Sequence, residues 1–127
     1  MIREKEKVSF ETLQGNTFTK VYKRSDEDYG DVLFFVGEDG SYVHCNVEYQ
    51  KMNDVEVWIE DICGNLEDLV DSPILLAEET VEKGEVTWSF YKIVTIKGYV
   101  TIRWFGESNG YYSEQASLYE VDEEKEK

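Results

Sequence analysis

The sequence predicts a β-rich α+β domain: an antiparallel sheet of about six strands, built from hairpins, with one short helical segment packed on it. Three observations lead there. Runs of β-branched and aromatic residues recur at strand length, and two pairs of them flank the turn dipeptides Asp39-Gly40 and Lys97-Gly98. A helical spacing of apolar residues appears once, at Trp58, Ile62, Leu66 and Leu69. Pro73 is the one proline, and no Ser/Gly linker or internal repeat interrupts the chain. Residues 1–127 are therefore expected to form a single domain with an ordered core of about 13–121.

In chain order, the charged ends Arg3 to Lys7 and Asp122 to Lys127 are expected to fray. After a turn at Gly15-Asn16, Thr17 to Lys23 reads as a strand. Val32 to Gly37 and Tyr42 to Tyr49 form the first hairpin. A two-residue turn at Asp39-Gly40 would set Val36 opposite Val43, Phe34 opposite Cys45 and Val32 opposite Val47, making one apolar face. The other face, with Phe35 opposite His44 and Leu33 opposite Asn46, is more polar. Trp58, Leu66 and Leu69 mark a helix face expected to bury against the sheet, with Asn65 as a cap and Ser72-Pro73 as the stop. The alternation Val55, Val57, Ile59 fits a strand equally well, so the start of this element stays open. Ile74 to Ala77 begins another strand.

Val86 to Ile96 and Tyr99 to Gly106 form the second hairpin around Lys97-Gly98. Counting outward, Thr95, Ile93 and Tyr91 oppose Val100, Ile102 and Trp104. On the opposite face Phe90 meets Phe105 and Lys92 meets Arg103. Both faces carry apolar residues, which predicts a central position. A last strand, Ser117 to Val121, is expected to return beside this hairpin.

Composition narrows the class of activity. Hydrophobic residues make up 41% and aromatics 14%, enough for a packed core. No apolar run approaches the roughly 20 residues of a membrane helix, and the charged start lacks a secretion signal. A cytoplasmic protein is expected. Cys45 and Cys63 have no metal-site spacing and are expected as buried thiols. The single histidine, His44, sits beside Cys45 on a strand, where neighbouring side chains point to opposite faces, so the two cannot form a nucleophile–base pair. With no glycine-rich phosphate loop, Cys-x-x-Cys pair or EF-hand pattern, neither an enzyme nor a cofactor or metal site is expected.

The charge is the most informative quantity. Thirteen Lys plus Arg against 28 Asp plus Glu leave −15, a field that repels nucleic acid and anionic membranes and favours a basic partner surface. From Asp54 to Glu85 eleven acidic residues stand against Lys83 alone. Glu60, Asp61, Glu67, Asp68 and Asp71 fall off the apolar face of the helical segment and form a candidate anionic ridge for partner binding, able to imitate a run of phosphates. A solvated face with no partner is the plain alternative. A second candidate site is basic. Lys92 opposite Arg103 would repel, so an anion belongs nearby, either a carboxylate such as Glu114 or Glu120 or a nucleotide-like ligand held beside Tyr99, Phe105, Tyr111 and Tyr112.

Three segments carry a resemblance: Trp58-Ile59-Glu60-Asp61-Ile62-Cys63-Gly64-Asn65-Leu66-Glu67-Asp68-Leu69; Ser72-Pro73-Ile74-Leu75 with Ala77-Glu78-Glu79; and Trp88 through Arg103-Trp104 to Ser108-Asn109-Gly110-Tyr111-Tyr112. Over roughly residues 13 to 121 the chain resembles a domain-of-unknown-function family common in bacteriophage genomes. Many relatives in that family carry paired cysteines shortly before the Ile-Glu-Asp-Ile element; here Asn53 and Asp54 stand there, so a cysteine-based metal or redox role is not implied. The resemblance implies a phage setting and a host bacterial cytoplasm, and no activity. The leading expectation is a non-catalytic binder that inhibits a host defence or nucleic-acid-handling protein through its anionic surface. The alternative is a module that sequesters a small anionic ligand, and an accessory enzyme ranks third.

Overall fold

The computed structural model describes residues 4–26, 30–38, 40–45, 56–107 and 116–121. Nine strands lie among these residues: β1 (Glu4–Val8), β2 (Lys20–Asp26), β3 (Gly30–Val36), β4 (Ser41–Cys45), β5 (Glu56–Cys63), β6 (Leu76–Lys83), β7 (Thr87–Thr95), β8 (Gly98–Glu107) and β9 (Ser117–Val121). They form two antiparallel sheets rather than one. The first has the order β1-β9-β4-β3-β2 and the second β5-β8-β7-β6. One core lies between them, with Leu33, Phe35 and Leu118 from the five-stranded sheet against Ile59, Tyr91, Ile93, Val100, Ile102 and Trp104 from the four-stranded one. The other face of the five-stranded sheet holds a smaller cluster of Val32, Phe34, Val43, Cys45 and Val121.

The second sheet explains several corrections. The β3–β4 hairpin is buried on both faces, so the face expected to be more polar is the inter-sheet core, and His44 is fully buried in it. β9 has the expected bounds but pairs with β1 and β4, not with the second hairpin. Glu4 to Lys7, expected to fray, belong to β1, which the ladder to β9 orders. Asp122 to Lys127 lie outside the described residues.

No α-helix occurs among the described residues; the helical elements are two 3₁₀ turns, Phe10–Leu13 and Leu66–Leu69. The helix expected from Trp58, Ile62, Leu66 and Leu69 is instead a strand followed by a turn. The alternation of Val57 and Ile59 won, because both are buried while Trp58, expected in the core, points outward and is 38% exposed. Leu69 is buried as expected, and Leu66 packs against the core. Asn65 caps the turn, its side chain accepting from the Glu67 amide at 2.9 Å. Val70 opens the next segment with a parallel bridge to Phe18.

Both hairpins turn one residue earlier than the dipeptides predict, which shifts the pairing by two. Val36 opposes Ser41, so Gly37 to Gly40 make a four-residue connection, with Asp39 outside the described residues. Gly37 is wedged there: a Cβ would stand 3.0 Å from the Gly40 carbonyl and 3.1 Å from that of Thr17. In the second hairpin Thr95 opposes Gly98, which makes Ile96-Lys97 the turn and Gly98 the first residue of β8. The Leu66–Leu69 turn sets this register. The Thr95 hydroxyl donates to the Asp68 carbonyl, and the Lys97 ammonium donates to the Val70 carbonyl. A shift of two leaves every side chain on its expected face. Tyr91, Ile93, Val100, Ile102 and Trp104 are accordingly buried.

Candidate functional site

The face of the four-stranded sheet turned away from the core gathers residues from both sequence-predicted sites. On β5 and β8, Trp58 opposes Phe105 and Asp61 opposes Arg103, with a register shift between Ile59 and Asp61 that leaves Glu60 as an extra residue. On β7 and β8, Trp88 opposes Phe105 and Phe90 opposes Arg103. Three rings thus lie in a row across three strands. Trp58 and Phe105 are 4.6 Å apart between centroids, and Trp88 and Phe105 are 5.2 Å apart. The Trp58 indole N–H donates to Glu60 Oε1 at 2.8 Å, which fixes the orientation of the exposed ring.

Lys92 and Arg103, expected to face each other, do not. The two-residue shift places Lys92 between Glu78 on β6 and Thr101 on β8. The repulsion inferred from direct opposition is therefore absent. The anion beside Arg103 is Asp61, at 3.9 Å with both side chains about half exposed (43% and 50%), a geometry worth little in water. The Arg103 guanidinium lies 5.1 Å from the Trp88 ring centroid, and the Lys92 ammonium lies 5.4 Å from that of Tyr99. The Arg103 Nε is buried and has no hydrogen-bond partner among the described residues. Glu120, one of the carboxylates expected near this pair, is on β9 opposite Tyr42, in the other sheet. Tyr111, Tyr112 and Glu114 lie outside the described residues.

The expected anionic ridge divides. Glu60 and Asp61 border the aromatic row, whereas Glu67, Asp68 and Asp71 follow the turn at the hairpin end of the same sheet. Glu60, Asp61, Glu67 and Asp71 are exposed. Asp68 is half-buried, and a Cβ on Gly98 would come within 3.0 Å of its carboxylate, so it serves the packing of the turn. Asp71 is the one non-glycine with positive φ (62°) among the described residues, a conformation Asp tolerates better than most. Sequence reasoning missed Trp58, Trp88, Glu56 and Glu107 as surface residues of this face. The strand alternation around Val57 and Ile59 was the signal that could have placed Trp58 outside.

The interior offers different chemistry. His44 is enclosed by the rings of Tyr91 at 4.1 Å, Phe10 at 5.1 Å and Trp104 at 5.2 Å. Neither ring nitrogen has a hydrogen-bond partner among the described residues, and the same holds for Trp104 Nε1 and Ser89 Oγ. Burial pushes the His44 pKa down to about 3, so the ring is neutral. Cys45 is a buried thiol. Cys63, expected to be buried, is exposed on β5, its thiol 3.6 Å from Asp61 Oδ2. Among the described residues no group of three or more His, Cys, Asp or Glu is placed to hold a metal ion. No helix among them is long and apolar enough to cross a membrane.

One comparison with known proteins is positive. The family described as Domain of unknown function (DUF7448) matches residues 6–118. No curated protein and no solved structure matches the chain.

Proposed function

The chain belongs to the DUF7448 family, and on that premise we propose that it acts by binding, with the outer face of its four-stranded sheet as the docking surface for a basic protein. The observation that carries this reading is the exposed Trp58 packed in a row with Phe105 and Trp88 and bordered by the carboxylates of Glu60 and Asp61. Aromatic anchors within a charged rim are the composition of a protein-binding surface. The net charge of −15 selects a basic partner and disfavours nucleic acid itself. No catalytic role is proposed, because the single histidine is enclosed by three rings away from solvent. Basic surfaces that normally hold phosphates fit such a binder. With the resemblance to phage sequences, this makes antagonism of a host defence or nucleic-acid-handling protein in the bacterial cytoplasm the proposed role.

A second reading has one observation of its own. The Arg103 guanidinium lies over Trp88 and meets Asp61 only at 3.9 Å with its side chain 43% exposed, which leaves its terminal nitrogens to a small anionic, nucleotide-like ligand.

Capture from bacterial lysate over a salt series separates the two. Glu60→Lys with Glu67→Lys should abolish retention of a basic protein, and retention by the parent should fall as salt rises. Glu123→Lys with Glu124→Lys changes the net charge equally and should retain the partner. Equal loss from both pairs would reduce the effect to bulk charge. No loss from either would reject the basic-partner reading in favour of the Arg103 ligand.

A further inference from the structure

One end of the outer face holds an arrangement that ordinary strand pairing disfavours. Glu56 and Glu107 stand directly opposite each other at the end of the β5–β8 ladder, both exposed. Like charges opposed across a ladder destabilise it. The next pair on the same face is Trp58 and Phe105, followed by Trp88 on β7. A shallow depression of about 370 Å³ adjoins Trp88 at the β6–β7 turn, with Glu82, Lys83 and Glu85 on its wall, a net negative lining. The row therefore has Glu56 and Glu107 alongside Trp58 and Phe105, and Glu82 beyond Trp88 on β6. It already accepts one guanidinium from within the chain, that of Arg103 over Trp88.

We infer that Trp58, Phe105 and Trp88, with the opposed Glu56 and Glu107, form a subsite for an arginine side chain presented by the basic partner. A guanidinium is planar, so it stacks on an aromatic face while its edge donates to a carboxylate. Its charge would relieve the repulsion between Glu56 and Glu107 that the free protein carries. This assignment rests on the basic-partner reading and specifies which feature of the partner is recognised.

The chain has three tryptophans, Trp58, Trp88 and Trp104, and the buried Trp104 serves as an internal reference. Indole N–H resonances are followed while an acetylated, amidated Gly-Arg-Gly-Arg-Gly peptide is titrated in, with the citrulline peptide of the same length as the neutral control. The expected result is a saturable shift of Trp58 and Trp88 with the arginine peptide only, weakened about tenfold by Glu56→Gln with Glu107→Gln. That variant should also unfold at higher denaturant than the parent, so a folding defect cannot imitate the loss. Equal shifts with citrulline, no saturable shift, or an unchanged affinity in the variant would overturn the subsite. If the variant still captures the basic partner while Glu60→Lys with Glu67→Lys does not, the subsite fails and the binding reading stands. If the arginine peptide binds as expected but no basic protein is captured, the binding reading fails and the subsite stands.

Discussion

The backbone amide of Ile59 donates to Asp31 Oδ2 at 2.7 Å, so a carboxylate of the five-stranded sheet closes part of the open edge of the four-stranded one. The contact falls where the β5–β8 register shifts, at the start of the Glu60-Asp61 border of the docking face. The opposite edge is treated in the same way: the Ala77 amide on β6 donates to Gln14 Oε1 at 3.0 Å. Unpaired strand edges invite pairing with other chains, and side-chain caps of this kind reduce the hazard.

Asp31→Ala should cost about 1.5–3 kcal/mol, the range for a hydrogen bond to a charged acceptor, read as a lowered denaturation midpoint. Hydrogen exchange at the Ile59 amide should accelerate well beyond that of its neighbours on β5. Unchanged protection at that amide would show that the cap is incidental.

The enclosed His44 sets an acid limit. Its folded value is held near 3 against an ordinary 6.5. As the pH falls through 6.5 the unfolded chain takes up a proton that the folded chain refuses. Stability is therefore lost from about pH 6.5 down towards pH 3, by about 1.4 kcal/mol per pH unit at most. His44→Leu removes this component, so the variant's advantage over the parent should grow steadily across that window. Parallel pH–stability curves for the two proteins would contradict the assignment.

Two glycines with positive φ should respond differently to alanine. Gly15 (φ 88°) has open space around its missing Cβ, so Gly15→Ala should cost only the conformational strain, about 1–2 kcal/mol. At Gly64 (φ 109°) a Cβ would stand 2.6 Å from the Tyr99 carbonyl oxygen and 3.2 Å from Val100 Cα, both backbone atoms. Gly64→Ala should therefore be clearly the more destabilising, measured by urea unfolding of the two variants side by side. A similar cost for both would mean that β5 and β8 can separate there freely.

Much of the fold was legible because strand alternation survives errors of register. Tyr91, Ile93, Ile102 and Trp104 were grouped on one apolar face, and that face is the buried one although the turn sits at Ile96-Lys97. The turn itself was not legible, because the Asp68 and Val70 carbonyls that fix it are about 27 residues distant in the chain. The spacing of Trp58, Ile62, Leu66 and Leu69 imitates a helix, yet it spans an outward tryptophan, a strand end and a 3₁₀ turn. His44 was misjudged for a different reason. Alternation reports which residues share a face, but not whether a second sheet covers that face. The candidate site was partly visible, as Glu60, Asp61, Arg103 and Phe105. The juxtaposition of Asp61 with Arg103 depended on pairing β5 with β8, which no local pattern encodes.

The place of β9 between β1 and β4 also orders events in time. Residues 4–8 have no ladder to join until residues 118–121 have docked on β4. During synthesis the first strand must therefore wait, unpaired, while more than a hundred residues emerge from the ribosome. Such distant pairing slows folding and lengthens the exposure of a free edge. The alternating Glu4-Lys5-Glu6-Lys7 sequence suits that interval, since its charges oppose adhesion to neighbouring nascent chains until the last strand arrives.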